Sequence, residues 1–136
     1  MGIFANLLLK NHAGAEQTFL PRMLNPRGWY QWMHELGGAP IGNPYVNGRS
    51  LLPSRPDGKA VHEFWLVRPH VDAPASAPGL YAATPKVTFV NKVQIKFEVS
   101  GQATLAERQE LLANAKDLIA DLMVQEAVVD NNLVRG

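Results

Sequence analysis

The chain has 136 residues, no cysteine, 46% hydrophobic residues and a formal net charge of +1. That length suits one domain with a buried core of its own, and the missing cysteines exclude disulfides, thiolate metal sites and cysteine chemistry. The longest apolar run near the start, Leu7-Leu8-Leu9, is too short for a signal-peptide core or a membrane span, so a soluble, intracellular protein with no membrane partner is expected.

In chain order, residues 6–10 and 17–22 read as two short strands joined by Asn11-His12-Ala13-Gly14, a hairpin in which Gly supplies the positive φ. Pro21, which has no N–H to donate, points to an edge or a strand end. Residues 28–34, GWYQWMH, form the next strand candidate, and Trp29, Tyr30 and Trp32 make a dense aromatic patch typical of a core or an interface. The glycine-rich segment 36–44, LGGAPIGNP, has no Lys-Ser/Thr after it and no helix to open; it reads as a bent connector rather than a phosphate-cradling loop. A strand over 45–52 is followed by Pro53-Ser54-Arg55-Pro56-Asp57-Gly58, a strong turn with Asp-Gly and two prolines. Residues 60–71, AVHEFWLVRPHV, form a long strand with no cleanly polar face, so periodicity does not say which side is buried. The Ala/Pro-rich segment 72–84 reads as a long exposed loop.

The best-patterned stretch is 85–101, PKVTFVNKVQIKFEVSG, bracketed by breaker residues. Its odd positions include Val87, Phe89, Asn91, Val93, Ile95, Phe97 and Val99. Its even positions are Thr88, Val90, Lys92, Gln94, Lys96 and Glu98. Side chains alternate across a strand, so this is one long strand with an apolar face and a polar, partly cationic one, suited to an antiparallel sheet covered on one side. Thr104 and Glu107 then make a T-x-x-E capping box, and Leu111, Leu112, Ala115, Leu118, Ile119, Leu122 and Met123 recur at helical spacing. A shorter helix through 127–129 precedes the polar Asp130-Asn131-Asn132. The fold class expected is α+β, an antiparallel sheet with helices segregated at the C-terminus.

Charge divides along the same line. Through Ser100 ten Lys and Arg face six acids, a net +4; from Gly101 onward three bases face six acids, a net −3. A basic sheet beside acidic helices suits an anionic partner on the sheet side, although small imbalances also arise by chance. Chemistry is poorly supported. His62 and His70 stand roughly 26 Å apart along one extended strand and cannot share a metal; His12 and His34 have no second ligand at diagnostic spacing. Neither an H-E-x-x-H nor a G-x-S-x-G motif is present. No enzyme and no cofactor is expected. Lys92, Gln94 and Lys96 share one face, where ammonium groups suit phosphates and a sheet suits extended RNA; an ordinary solvated face has the same pattern. Phosphate contacts there would make binding fall steeply with salt. A long regular edge strand also needs pairing or covering, and a second copy supplies both.

The order of these segments resembles the coat proteins of small single-stranded RNA bacteriophages, the levivirus-like group. The PIGNP block, the strand ending LVRPHV, the Ala/Pro loop, PKVTFVNKVQIKFEV and the junction into ATLAERQELLANAKDLI carry the likeness over nearly the whole chain. The resemblance implies one coat protein domain over 1–136: an N-terminal hairpin (1–24), a five-stranded antiparallel sheet (28–100) and two C-terminal helices (104–130) that cross over a dimer partner. It implies homodimers assembling in the host cytoplasm into an icosahedral shell, the virion capsid. It also implies genomic RNA on the inner sheet face, a stem-loop as ligand, and translational repression through it. Alignment on the helix start puts Lys92, Gln94 and Lys96 on the RNA side; a competing match would put Phe89 and Asn91 there. The proline at 69 matches the family's strand proline and turns Glu63 and Trp65 toward RNA, where relatives often carry bases. Arg49, Arg55 and Lys59 are further phosphate contacts of open facing. The alternative function is a dimeric RNA-binding regulator of the same fold that builds no shell.

Overall fold

Alternating runs of β-branched and aromatic residues make strands, and a computed structural model places six of them in one antiparallel sheet in sequence order. Residues 5–24, 27–37, 40–72 and 86–131 are described. The chain divides into two compact units, one of Met1–Leu52 and Ala60–Glu98, the other of Pro53–Lys59 and Val99–Gly136.

In the first unit, β1 (Leu7–Lys10) and β2 (Glu16–Leu24) form the expected hairpin. Asn11 closes its turn: the side-chain oxygen accepts from the N–H groups of Ala13 and Ala15 at 3.0 and 2.9 Å, and Gly14 takes φ 84°. Pro21 lies inside β2 rather than at its end, opposite Trp32, with a register shift between Pro21 and Met23. The β1 pairing stops at Phe19, so on that side Pro21 stands at an edge, one of the two places expected for a residue with no N–H to donate. The fold class is the expected one, an antiparallel sheet followed by two helices; only the strand count differs, because β2 pairs with β1 on one side and β3 (Tyr30–Met33) on the other, giving six strands in one sheet.

The connector after β3 contains a single 3-10 turn over Pro40–Gly42 and is tied down by Asn43, which is 7% exposed. Its Oδ1 accepts from Leu36 N–H at 3.1 Å and its own N–H donates to Pro40 O at 3.1 Å, while His34 N–H donates to Pro44 O at 2.9 Å. β4 (Tyr45–Leu51), β5 (Lys59–Asp72) and β6 (Lys86–Ser100) complete the sheet, with β6 at its edge. The β4–β5 register sets Arg49 against Glu63, Asn47 against Trp65 and Gly48 against Phe64. At Gly48 a Cβ would stand 3.1 Å from the Phe64 ring and 3.3 Å from Trp32, so the missing side chain lets both rings lie on the backbone. The expected loop at 72–84 falls, after Asp72, outside the described residues.

Among described residues the buried apolar side chains are Phe19, Val46 and Val67, so the self-sufficient core expected from length is small. The physical reason is visible on the sheet: Phe64, Phe89 and Val93 are 40%, 53% and 50% exposed, apolar surface that the chain leaves in water.

In the second unit the turn before β5 is closed by Gly58 N–H donating to Arg55 O at 3.0 Å, and Gly101 N–H donates to Gly58 O at 2.8 Å. Helix α1 (Leu105–Ala120) starts at the capping box: Thr104 Oγ1 accepts from Glu107 N–H at 3.2 Å and donates to Glu107 Oε1 at 3.0 Å. Asp121 ends α1 and begins α2 (Leu122–Val129), its N–H donating to Leu118 O and its carboxylate accepting from Met123 N–H at 2.9 Å. No residue of either helix is buried; Leu111, Leu112, Leu118 and Ile119 are all exposed.

Candidate nucleic-acid interface

Strand pairing decides what the sheet presents. Because Arg49 stands opposite Glu63, their side chains leave the sheet on the same side, and Trp65, two residues on, joins them. Arg49 Nη2 lies 3.5 Å from Glu63 Oε1, and Trp65 Nε1–H donates to Glu63 Oε2 at 3.2 Å. The Arg49 guanidinium carbon sits 4.4 Å from the centroid of Trp29, and the Trp29 and Trp65 rings meet edge to face at 5.9 Å. From the neighbouring edge strand, the Lys92 ammonium rests 4.4 Å from the centroid of Trp65. Two cations on two indoles, joined through one buried carboxylate, make a single array across three strands.

This geometry gives the facing of β6. Lys92 shares the side of Glu63 and Trp65, and by alternation so do Gln94 and Lys96. Phe89 stacks on His70 with centroids 4.5 Å apart and planes 6° from parallel, on the opposite side, along with Phe64, Val93, Ile95 and Phe97. Phe89 and, by alternation, Asn91 thus lie on the side of β6 away from Lys92 and Gln94. Ser50 Oγ and His62 Nδ1, 2.8 Å apart, belong to that opposite side as well.

Of the eight candidate residues, Arg49, Glu63, Trp65, Lys92, Gln94 and Lys96 share one sheet face. Arg55 lies in the turn before β5 and Lys59 opens that strand; both are exposed and assigned to the second unit. Glu63 is 7% exposed, its carboxylate turned to Arg49 and the indole N–H of Trp65. Lys96 Nζ lies 3.2 Å from Glu98 Oε1. Two of the face's cations thus have carboxylate partners. That lowers the field available to a polyanion and makes the expected salt dependence shallower than a row of unpaired lysines would give. Sequence reading missed two members. Trp29 precedes its strand, where alternation assigns no side, and Asn47 becomes a neighbour of Trp65 only through register. Among the described residues no group of three or more His, Cys, Asp or Glu is placed to hold a metal, and no helix is long and apolar enough to cross a membrane.

A family model described as Levivirus coat protein matches residues 3–134. No curated protein matches the chain. Among solved structures, the virus-like particle of bacteriophage NT-214 is similar at 26% identity, covering 96% of this chain and 98% of that one, with a TM-score of 0.81. The virus-like particle of bacteriophage ESE058 superposes with a TM-score of 0.86 at 17% identity, covering 98% and 100% of the two chains. The capsid protein of bacteriophage GA gives 0.74 at 14% identity, covering 96% of each.

Proposed function

The chain belongs to the levivirus coat protein family, a structural capsid protein and not an enzyme, and from that premise we propose that its dimers build a closed icosahedral shell around single-stranded genomic RNA. The observation that carries this reading is the two-sidedness of the sheet where β5 meets β6. One side holds Arg49, Trp65, Lys92, Gln94 and Lys96; the other holds Phe64, Phe89, Val93, Ile95 and Phe97.

The apolar side asks for cover. A sheet face with Phe64, Phe89 and Val93 in water is costly by roughly 25 cal/mol per Å² of apolar surface, and α1 and α2 carry a stripe of equally exposed leucines and isoleucine. Two such surfaces on one chain are satisfied together by a second copy, with the helices of each over the sheet of the other and the β6 edges paired. The other side then faces the genome, where cations and indoles suit phosphates and unpaired bases. Shell formation is supported by the likeness to the NT-214 particle. The same face is our candidate for a genomic stem-loop, and through it for repression of translation, with assembly in the host cytoplasm.

The test is expression alone in a bacterium, followed by size-exclusion chromatography, negative-stain microscopy and the 260/280 nm absorbance ratio. Spherical particles with a high ratio are expected. A clean dimer without particles would overturn the shell and favour the regulator.

A further inference from the structure

We propose that Asp57 is a site of spontaneous isoaspartate formation, and that the altered linkage releases the bond from Gly101 to Gly58 just ahead of α1. Neither RNA nor a shell is needed for this change.

An acid or amide followed by glycine is the pair in which the next backbone nitrogen most easily attacks the side-chain carbonyl carbon, because glycine puts no Cβ in the way. The chain holds two such pairs, Asn47-Gly48 and Asp57-Gly58. An amide reacts faster than an acid, so sequence alone favours Asn47. The fold reverses that order. Asn47 lies within β4, paired with Gln31 of β3 and Trp65 of β5. Gly48 is buried, and a Cβ there would stand 3.1 Å from the Phe64 ring and 3.3 Å from Trp32. The Asn47–Gly48 peptide therefore cannot turn toward its side chain without parting two ladders.

Asp57 is in the turn over 53–59, where Ser54, Arg55, Pro56 and Asp57 are all exposed. Among the described residues its carboxylate makes no hydrogen bond or ion pair. One backbone bond restrains the attacking nitrogen, from Gly58 N–H to Arg55 O at 3.0 Å. Gly58 O meanwhile accepts from Gly101 N–H at 2.8 Å, which keeps the glycine in place while the peptide before it turns. Gly58 N then bonds to Asp57 Cγ, and a carboxyl oxygen leaves as water with the nitrogen's proton, closing a succinimide. Water adds to the former main-chain carbonyl carbon of Asp57 and breaks its bond to Gly58 N, so the chain now runs through Cγ. The mass is unchanged, and the main chain is longer by one carbon–carbon bond, about 1.5 Å. The turn has no slack for it: a Cβ on Gly58 would stand 2.6 Å from Pro53 Cβ, and one on Gly101 would stand 2.9 Å from Gly58 O. Of the two bonds at Gly58, the one to Gly101 joins separate segments and is the one lost.

The purified protein is aged in warm neutral buffer and mapped with trypsin, which places Asn47 in the peptide 28–49 and Asp57 in the peptide 50–59. A second form of 50–59 with identical mass is expected to accumulate and to accept methyl groups from an isoaspartyl methyltransferase, while 28–49 keeps its mass. In urea the order is expected to invert, with Asn47 converted to acid first. Asp57→Glu, which keeps the charge but disfavours the five-membered ring, should abolish the second form. Asp57→Asn should speed conversion and add the mass difference between amide and acid. Hydrogen exchange at the Gly101 amide is expected to be faster in aged wild type than in aged Asp57→Glu. Conversion of Asn47 ahead of Asp57 in the folded protein would overturn the assignment, as would an unchanged 50–59 after the unfolded chain has fully converted. Isoaspartate without faster exchange at Gly101 would refute the release of that bond.

Discussion

Arg49 and Glu63 face each other across the β4–β5 pairing, Nη2 to Oε1 at 3.5 Å, with the carboxylate side chain only 10% exposed and Trp65 N–H bound to its other oxygen. Removing either partner leaves the other without compensation in a poorly solvated place. Glu63→Ala is therefore expected to lower stability by about 1–3 kcal/mol, measured as a shifted urea midpoint at fixed protein concentration. Arg49→Ala combined with Glu63→Ala is expected to cost less than the two separate losses together. Strict additivity would show that the pair is not coupled.

Gly101 follows β6 in a place where a side chain does not fit. A Cβ there would collide with Pro56 O and stand 2.9 Å from Gly58 O, both backbone atoms that cannot rotate away. Gly101→Ala also strains the 2.8 Å bond from Gly101 N–H to Gly58 O. The expected loss is about 1–3 kcal/mol, read from thermal unfolding; a neutral Gly101→Ala would mean that the turn over 53–59 moves freely.

Dimer formation is testable through the apolar side. Val93 is 50% exposed in the middle of β6, and Leu118 is 58% exposed on α1. Val93→Asp or Leu118→Asp places a charge where a second copy is proposed to dock, a burial that an unpaired carboxylate resists by several kcal/mol. Sedimentation is expected to show a monomer or loss of folded protein for both. Leu8→Asp, on the first hairpin, serves as the control and should leave the association state intact. Equal behaviour of all three would remove the argument for that interface.

Salt dependence separates the lysines. Each phosphate contact on single-stranded nucleic acid contributes roughly −0.7 to the slope of log K against log salt. Lys96 shares its charge with Glu98 at 3.2 Å, whereas Lys92 rests on an indole. Lys92→Ala is expected to flatten the slope by close to one contact per subunit, and Lys96→Ala by less. Unchanged binding in the double variant would show that RNA does not meet this side of the sheet.

Much of the fold is written locally. The alternation over 85–101 predicts β6 to within a residue, T-x-x-E predicts the start of α1 at Leu105, and Pro53–Gly58 predicts the turn ahead of β5. Pro21 shows the limit of local reading: its missing N–H points to an edge or a strand end, and only the pairing decides between them, setting it inside β2 opposite Trp32 and beyond the reach of β1. Glu63 shows the same limit at the site. Its residue type suggests repulsion of RNA, whereas its pairing with Arg49 removes that charge from the surface.

The sequence by itself determined which stretches are strands and helices, and that β6 has one apolar and one cationic side. Alternation and capping depend only on residues a few positions apart, so they survive without knowledge of neighbours. Only the tertiary structure decided that Lys92, Trp65, Glu63, Arg49 and Trp29 form one array, and that Phe89 lies on the other side against His70. Those facts follow from strand register, where a slip of one residue sends every side chain to the opposite face, and register is set by packing between segments far apart in the chain.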